Sequence, residues 1–382
     1  MKKTLVALAA LAATGAFAQS TVSIWGAVDA SYNYASGDMA NGTSQNKHSL
    51  GNSQLGSSKL GFSGLEDLGG GLKAKFWLEA GLANDTGAGK GSNSNNQPSG
   101  AAASNAGGQG IVFARRSYVG LVGNWGELKL GREYVNTFLG VQASVDPFGT
   151  NGPADSTQMM LLVGSYLGKS SSSINASNMI TYVTPTMSGF SGNVQYFMGE
   201  NLSGATQSDD GNGYSVTGQW AQGPFFVSLG QMGIKYNQVS NAGLATGLGD
   251  FQLQALAASY DFGVAKIRYT YANESVTAMA NTGGDWKNIS NLFAVSVPYG
   301  AFNFKGSYIM ATNNFNATKK DTKGSLLGLG VDYALSKRSI VYATWGGISN
   351  SDGGSMYGAN VVGALKADGG TSNLAIGMYH SF

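Results

Sequence analysis

Apolar and polar side chains alternate along most of this chain, and past residue 18 no apolar run is long enough to cross a membrane as a helix. From Thr21 to Tyr34 one parity carries Val22, Ile24, Val28, Tyr32 and Tyr34, while the other carries Ser23, Trp25, Asp29 and Asn33. Side chains alternate faces along a strand, so each such run predicts a strand with one apolar face. Leu72, Ala74, Phe76 and Leu78 oppose Lys73, Lys75, Trp77 and Glu79 in the same way, and Phe302, Phe304, Tyr308 and Met310 oppose Asn303, Lys305 and Ser307. Residues 178–184 stay ambiguous, with apolar groups on both faces. The chain ends inside such a run: Leu374, Ile376, Met378, His380 and Phe382 share one parity. A terminal strand that does not fray predicts a sheet closed on itself in lipid, with Ile376, Met378 and Phe382 on the closing strand.

The amino terminus has the form of an export signal. Met1-Lys2-Lys3 precedes an apolar core from Leu5 to Ala13, and Ala16-Phe17-Ala18 has small-x-small spacing. Cleavage is expected before Gln19, leaving 19–382 as one domain. The 382 residues contain no cysteine, 58 glycines and only 6 prolines, with a net charge of +2, which excludes a disulfide-stapled module and gives no basic surface for nucleic acid. Strands that alternate lipid-facing and lumen-facing residues average out to neutral hydropathy, so the composition suits an all-β transmembrane antiparallel barrel. Spacing predicts about 16 strands. Backbone groups in hydrocarbon must all be paired, which requires the first and last strands to meet. A barrel that wide is not filled by side chains and keeps an aqueous lumen. The Gly/Ser/Asn/Ala-rich stretch 85–110 reads as an exposed loop.

Chemical motifs are sparse. Two histidines, His48 and His380, and no cysteine give neither a zinc ligand set nor a catalytic constellation, so no enzyme activity, metal or cofactor is expected. His48 is assigned to a polar loop and His380 to the lipid-facing parity. The glycines of 324–330 sit in a strand pattern with no helix after them. They read as small residues on a crowded wall rather than a phosphate loop.

Several segments carry a family resemblance. Lys59-Leu60-Gly61-Phe62-Ser63-Gly64-Leu65-Glu66-Asp67-Leu68-Gly69-Gly70-Gly71-Leu72-Lys73-Ala74 resembles the second and third strands of Gram-negative general porins of neisserial and burkholderial type. Arg116 to Leu121 and Leu128 to Arg132 resemble their fourth and fifth strands, Asn178 to Tyr182 their sixth. Asp332 to Arg338 resembles the turn before the penultimate strand, and Gly377 to Phe382 the closing strand. The resemblance implies a homotrimer in the Gram-negative outer membrane, in contact with lipid and lipopolysaccharide. It also implies insertion by the barrel-assembly machinery reading Phe382, and a third loop, about Tyr134 to Leu162, folded into the pore.

In that family a basic wall cluster faces acids on the inward loop. The corresponding basic candidates are Lys59, Arg116 and Arg132; the acidic ones are Glu79 on the wall and Asp146 and Asp155 on the loop. Arg116 shares the Tyr118 parity, which suits the lumen, whereas Arg132 shares that of Leu128 and Leu130, and its lumenal assignment rests on family position. Opposed charges across a gap orient dipolar solutes and filter ions. Lysine replaces the family arginine at 59, losing the planar fork, and Ile174-Asn175-Ala176-Ser177 lacks an arginine common among relatives. The expected function is passive diffusion of small polar solutes and ions with weak selectivity leaning anionic. A substrate-specific channel, for which Trp25, Trp77 and Tyr379 are scattered lumen-parity aromatics, and an adhesive barrel are the alternatives.

Overall fold

The computed structural model describes residues 21–89, 96, 110–161, 172–205, 208–236, 249–277, 285–314, 320–355 and 365–382. The expected leader, most of the polar stretch 85–110 and Leu162 lie outside these residues. Sixteen antiparallel strands form one closed sheet. They are β1 (Thr21–Asp38), β2 (in two pieces, Ser44–Asn52 and Lys59–Gly69), β3 (Leu72–Ala83), β4 (Arg116–Gly123) and β5 (Gly126–Tyr134), then β6 (Asn175–Val183), β7 (Phe190–Phe197), β8 (Gly213–Gln222), β9 (Phe225–Ile234), β10 (Phe251–Asp261) and β11 (Lys266–Val276). β12 (Trp286–Tyr299), β13 (Phe302–Asn313), β14 (Thr322–Ala334), β15 (Ser339–Ser351) and β16 (Gly370–Ser381) complete the barrel. A two-residue strand, Ala88–Gly89, pairs with the end of β3 and stands outside this count. No described helix is long and apolar enough to cross a membrane.

Closure is direct. β16 pairs with β1 from Ala27↔Ser381 to Gly37↔Thr371, placing Met378 beside Ala30 and Ile376 beside Tyr32. Gly26 and Phe382 exchange both backbone hydrogen bonds at 3.1 Å, so the ladder continues to the final residue. Ile376, Met378 and Phe382 are exposed on the outer face, whereas Asn373 and Ala375 are buried inside, as the parity requires. Rings join at the short-turn end: Trp220 contacts Phe190 and Phe225, and Tyr260 contacts Phe225 and Phe262. Such a girdle matches a membrane interface, where an aromatic ring can be half solvated.

Turn chemistry explains the tight β2–β3 connection. Gly69, Gly70 and Gly71 all have φ between +62° and +84°, a region that side chains with a Cβ rarely adopt. The Asp67 carboxylate accepts the Gly69 N–H at 2.8 Å and fixes the turn.

Two features depart from the sequence expectations. His48 lies in the first piece of β2, not in a loop; it pairs with Tyr34 and its Nδ1 meets the Tyr32 hydroxyl at 2.5 Å. The segment is polar yet still strand because the long β1 extends to Asp38 and supplies its ladder. The inner face, expected to be polar, also carries large apolar residues. Met232, Leu253, Leu292, Ile309, Leu326 and Ile348 face inward and are buried. Met179 does the same, which accounts for the ambiguity of 178–184.

Candidate functional site

Those inward apolar residues have a partner. The connection from β5 to β6 folds into the barrel, and its Val135, Val141, Val145, Met159 and Met160 pack with them in one buried cluster. Burying each such side chain contributes about 1.5–3 kcal/mol, so the loop is held by a core of its own. Polar anchors fix its register. The Asn136 N–H donates to Gln195 Oε1 on β7 at 2.7 Å and its amide to Thr217 on β8 at 2.6 Å, while Asn288 on β12 donates to the Met159 carbonyl at 2.8 Å. Further round, glycines admit the loop. A Cβ at Gly328 would lie 2.6 Å from the Ala154 Cβ, one at Gly330 2.7 Å from the Phe148 ring, and one at Gly346 1.9 Å from the Pro153 carbonyl oxygen. Gly328 and Gly330, read from the sequence as small residues on a crowded wall, are therefore loop seats.

The loop tip meets the break in β2. Asp29, fully buried, accepts the Leu55 and Gly56 N–H groups at 2.6 and 2.8 Å and the Tyr342 hydroxyl at 2.5 Å. This holds residues 53–58 against the loop, where Ser57 donates to Asn151 at 3.1 Å. The loop thus lines the side from β7 to β15 and leaves the wall of β2 to β5 facing the lumen.

That wall carries a continuous charge network. Glu79 Oε1 accepts Arg115 Nε at 2.6 Å and lies 3.9 Å from Lys59 Nζ; its Oε2 lies 3.8 Å from Arg116 Nη1 and accepts Trp77 Nε1 at 3.2 Å. Arg116 Nε donates to Glu133 at 2.6 Å, and Lys129 reaches the other oxygen of Glu133 at 3.2 Å. Glu127 holds Lys75 at 2.8 Å. The two signs sit at different depths. The side chains of Lys59, Arg115 and Arg116 are 31, 20 and 25% exposed, against 3 and 7% for Glu79 and Glu133. The carboxylates order the cations from beneath, and the cations meet the solution.

Of the residues expected here, the structure joins Lys59, Arg116 and Glu79. Glu79 stands on the same wall as the cations, so it does not oppose them across the lumen. Arg132 turns to the polypeptide: its Nε donates to the Ala114 carbonyl and its Nη1 to Ser177 at 2.8 Å. Asp146 and Asp155 are the only charged residues in 135–161, and both are buried. Asp146 accepts the Phe148 and Ser156 N–H groups at 2.8 and 3.0 Å, and Asp155 accepts the N–H and hydroxyl of Thr157 at 2.8 and 2.7 Å. Their carboxylates brace the loop, which corrects the expectation that they face the basic wall. Arg115, Lys75, Lys129, Glu127 and Glu133 were not anticipated. Among the described residues no cluster is suited to a metal ion.

Burial, with the nearby Asp146 charge, pushes the Asp155 carboxyl up to about 7. Its folded-state pKa lies above the unfolded one, so its contribution favours the packed loop in acid and is lost as pH rises through about 7. Wild-type thermal stability in detergent is expected to fall between pH 5 and pH 8, and Asp155→Asn to flatten that slope by at least half. An unchanged slope in the variant would assign the pH response elsewhere.

The family model for Gram-negative porins matches residues 4–353. The chain is 31% identical to outer membrane porin protein 32 of Delftia acidovorans, with all of both chains covered. Among solved structures it resembles the anion-selective porin from Comamonas acidovorans, with a TM-score of 0.77 and 30% identity over 95% of this chain and all of that one. The trimer form of OmpT from Vibrio cholerae shares the fold, with a TM-score of 0.65 at 17% identity over 95% of this chain and 99% of that one.

Proposed function

The chain belongs to the Gram-negative porin family, and from that premise we propose that its wall of partly exposed cations makes the channel lean weakly toward anions. It is an outer-membrane porin, a β-barrel channel for passive diffusion; family and fold point to a channel rather than an enzyme. One observation carries the anionic lean: five basic side chains share three carboxylates on the β2–β5 wall, and the acids at its centre lie beneath the bases. The described loop opposite adds no exposed charge, so the lean stays weak. Lys59, Arg116 and Arg115 are the basic residues of the proposed constriction, with Glu79 as their organiser. The reversal potential of the purified protein in a planar bilayer under a potassium chloride gradient tests this. A modest anion preference is expected, and a clear cation preference would reject it.

Residues 1–18 are the proposed signal peptide, and a trimer is the proposed assembly, in line with the OmpT trimer form. Lipopolysaccharide and the barrel-assembly machinery are its proposed partners at the membrane. The Gly26–Phe382 hydrogen bonds support a role for the last residue in closure and insertion. Deleting Phe382 is expected to cut the yield of folded, heat-resistant barrel severalfold, while channels that do insert conduct normally. Normal assembly of the truncated chain would remove the insertion role.

A further inference from the structure

Trp25 and Trp77, scattered in sequence, are adjacent inside the barrel. Their ring centroids lie 4.9 Å apart at 50°. Trp25 spreads over Gly61, where a Cβ would stand 2.2 Å from its ring, so the indole lies flat on the wall. Trp77 in turn pairs across the ladder with Tyr118 on β4, which is buried beneath Lys75 and Lys129 and ends the band there. Cations lie over these rings. Lys59 lies 5.7 Å from the Trp25 ring and Arg116 5.5 Å from that of Trp77, while Lys129 lies 5.1 Å from Tyr118. A sugar would use ring faces flanked by neutral or acidic hydrogen-bonding groups. Here the one carboxylate at the band, Glu79 on Trp77 Nε1, is buried, and the exposed flanking groups, Lys59 and Arg116, are positive, so the chemistry selects an anion with a flat apolar body.

We propose that this band is a binding track for monocyclic aromatic carboxylates, with the carboxylate held by Lys59 and Arg116 and the ring against Trp25 and Trp77. The inference rests on the anion-leaning reading and goes beyond it, because charge alone does not distinguish an aromatic acid from an aliphatic one. Aromatic pairs favour offset or edge-to-face contacts, and their strength in proteins corresponds to roughly a fivefold preference.

The test is block of the potassium chloride current by sodium benzoate and by sodium cyclohexanecarboxylate, which matches benzoate in charge and ring size but lacks a π face. Benzoate is expected to half-block at roughly one-fifth the concentration. Trp77→Leu should bring the two concentrations together, and Trp25→Leu provides the same readout if the first variant does not assemble. Equal block of the wild type by both acids, in a channel whose chloride reversal potential is anionic, overturns the track and leaves the anionic reading intact. A cationic reversal potential overturns both.

Discussion

Replacing Lys59 with glutamate is expected to carry the reversal potential under a potassium chloride gradient to the cation side of wild type. Lys59 is the most exposed of the three cations around Glu79 and, at 3.9 Å, the most loosely paired, since Arg116 is also held by Glu133 at 2.6 Å. The exchange changes the wall from five bases and three acids to four of each. One unit charge at about 8 Å in water alters an ion's energy by about 0.5 kcal/mol before screening. The Debye length near physiological salt is about 8 Å, so roughly a third of that survives. Two units of charge acting oppositely on anions and cations then change the permeability ratio by roughly threefold. Lys59→Gln should give about half the shift in free energy, and Arg132→Gln far less, because Arg132 is spent on Ala114 and Ser177. An unmoved reversal potential in Lys59→Glu would take Lys59 out of the ion path.

The barrel was legible because lipid enforces a strict two-residue period, and that period survives at Arg116, Trp77 and Glu79. The same rule held enough to find more of the wall than it did: Lys129 and Glu133 share the parity opposite Leu128 and Leu130, and the structure joins them. It also warned against Arg132, where family position suggested the lumen and parity the other face. Arg115 precedes β4, so no alternation could place it. Hidden inner contacts account for the remaining differences. Parity puts Leu292 with Ser290 and Ile309 with Ser307 on the lumenal face, but their apolar character there has no local reason, and no local pattern shows a loop docking more than a hundred residues away. Asp146 and Asp155 did carry a local signal. Each accepts the N–H two residues on, the Asx-turn habit of aspartate, which marks them as bracing groups. The break in β2 depends on Asp29 meeting Tyr342, an encounter between strands far apart in sequence and set only by closure.

Because the loop is seated on glycines, the conductance itself is open to a one-residue test. Gly346→Val is expected to lower the open-channel conductance and to raise the frequency of closures about tenfold. The Cβ would arrive 1.9 Å from the Pro153 carbonyl oxygen and 2.5 Å from its carbon. Both are backbone atoms, so no rotamer change relieves the overlap and residues 152–155 must leave the wall. Overpacking of this kind costs about 1–3 kcal/mol, enough to raise a minor displaced state about tenfold. The displacement has one direction open to it, into the lumen, since Gly152 already presses on the Gln54 carbonyl on the far side, where a Cβ would stand at 2.2 Å. Strand β15 itself tolerates valine, a good β former, so the barrel is expected to assemble. Gly218→Val is the matching control, because a Cβ there meets nothing within 4 Å. Quiet traces at wild-type conductance from an assembled Gly346→Val channel would show that the loop does not set the open area, and the charged wall would then act in a wider lumen than the seating implies.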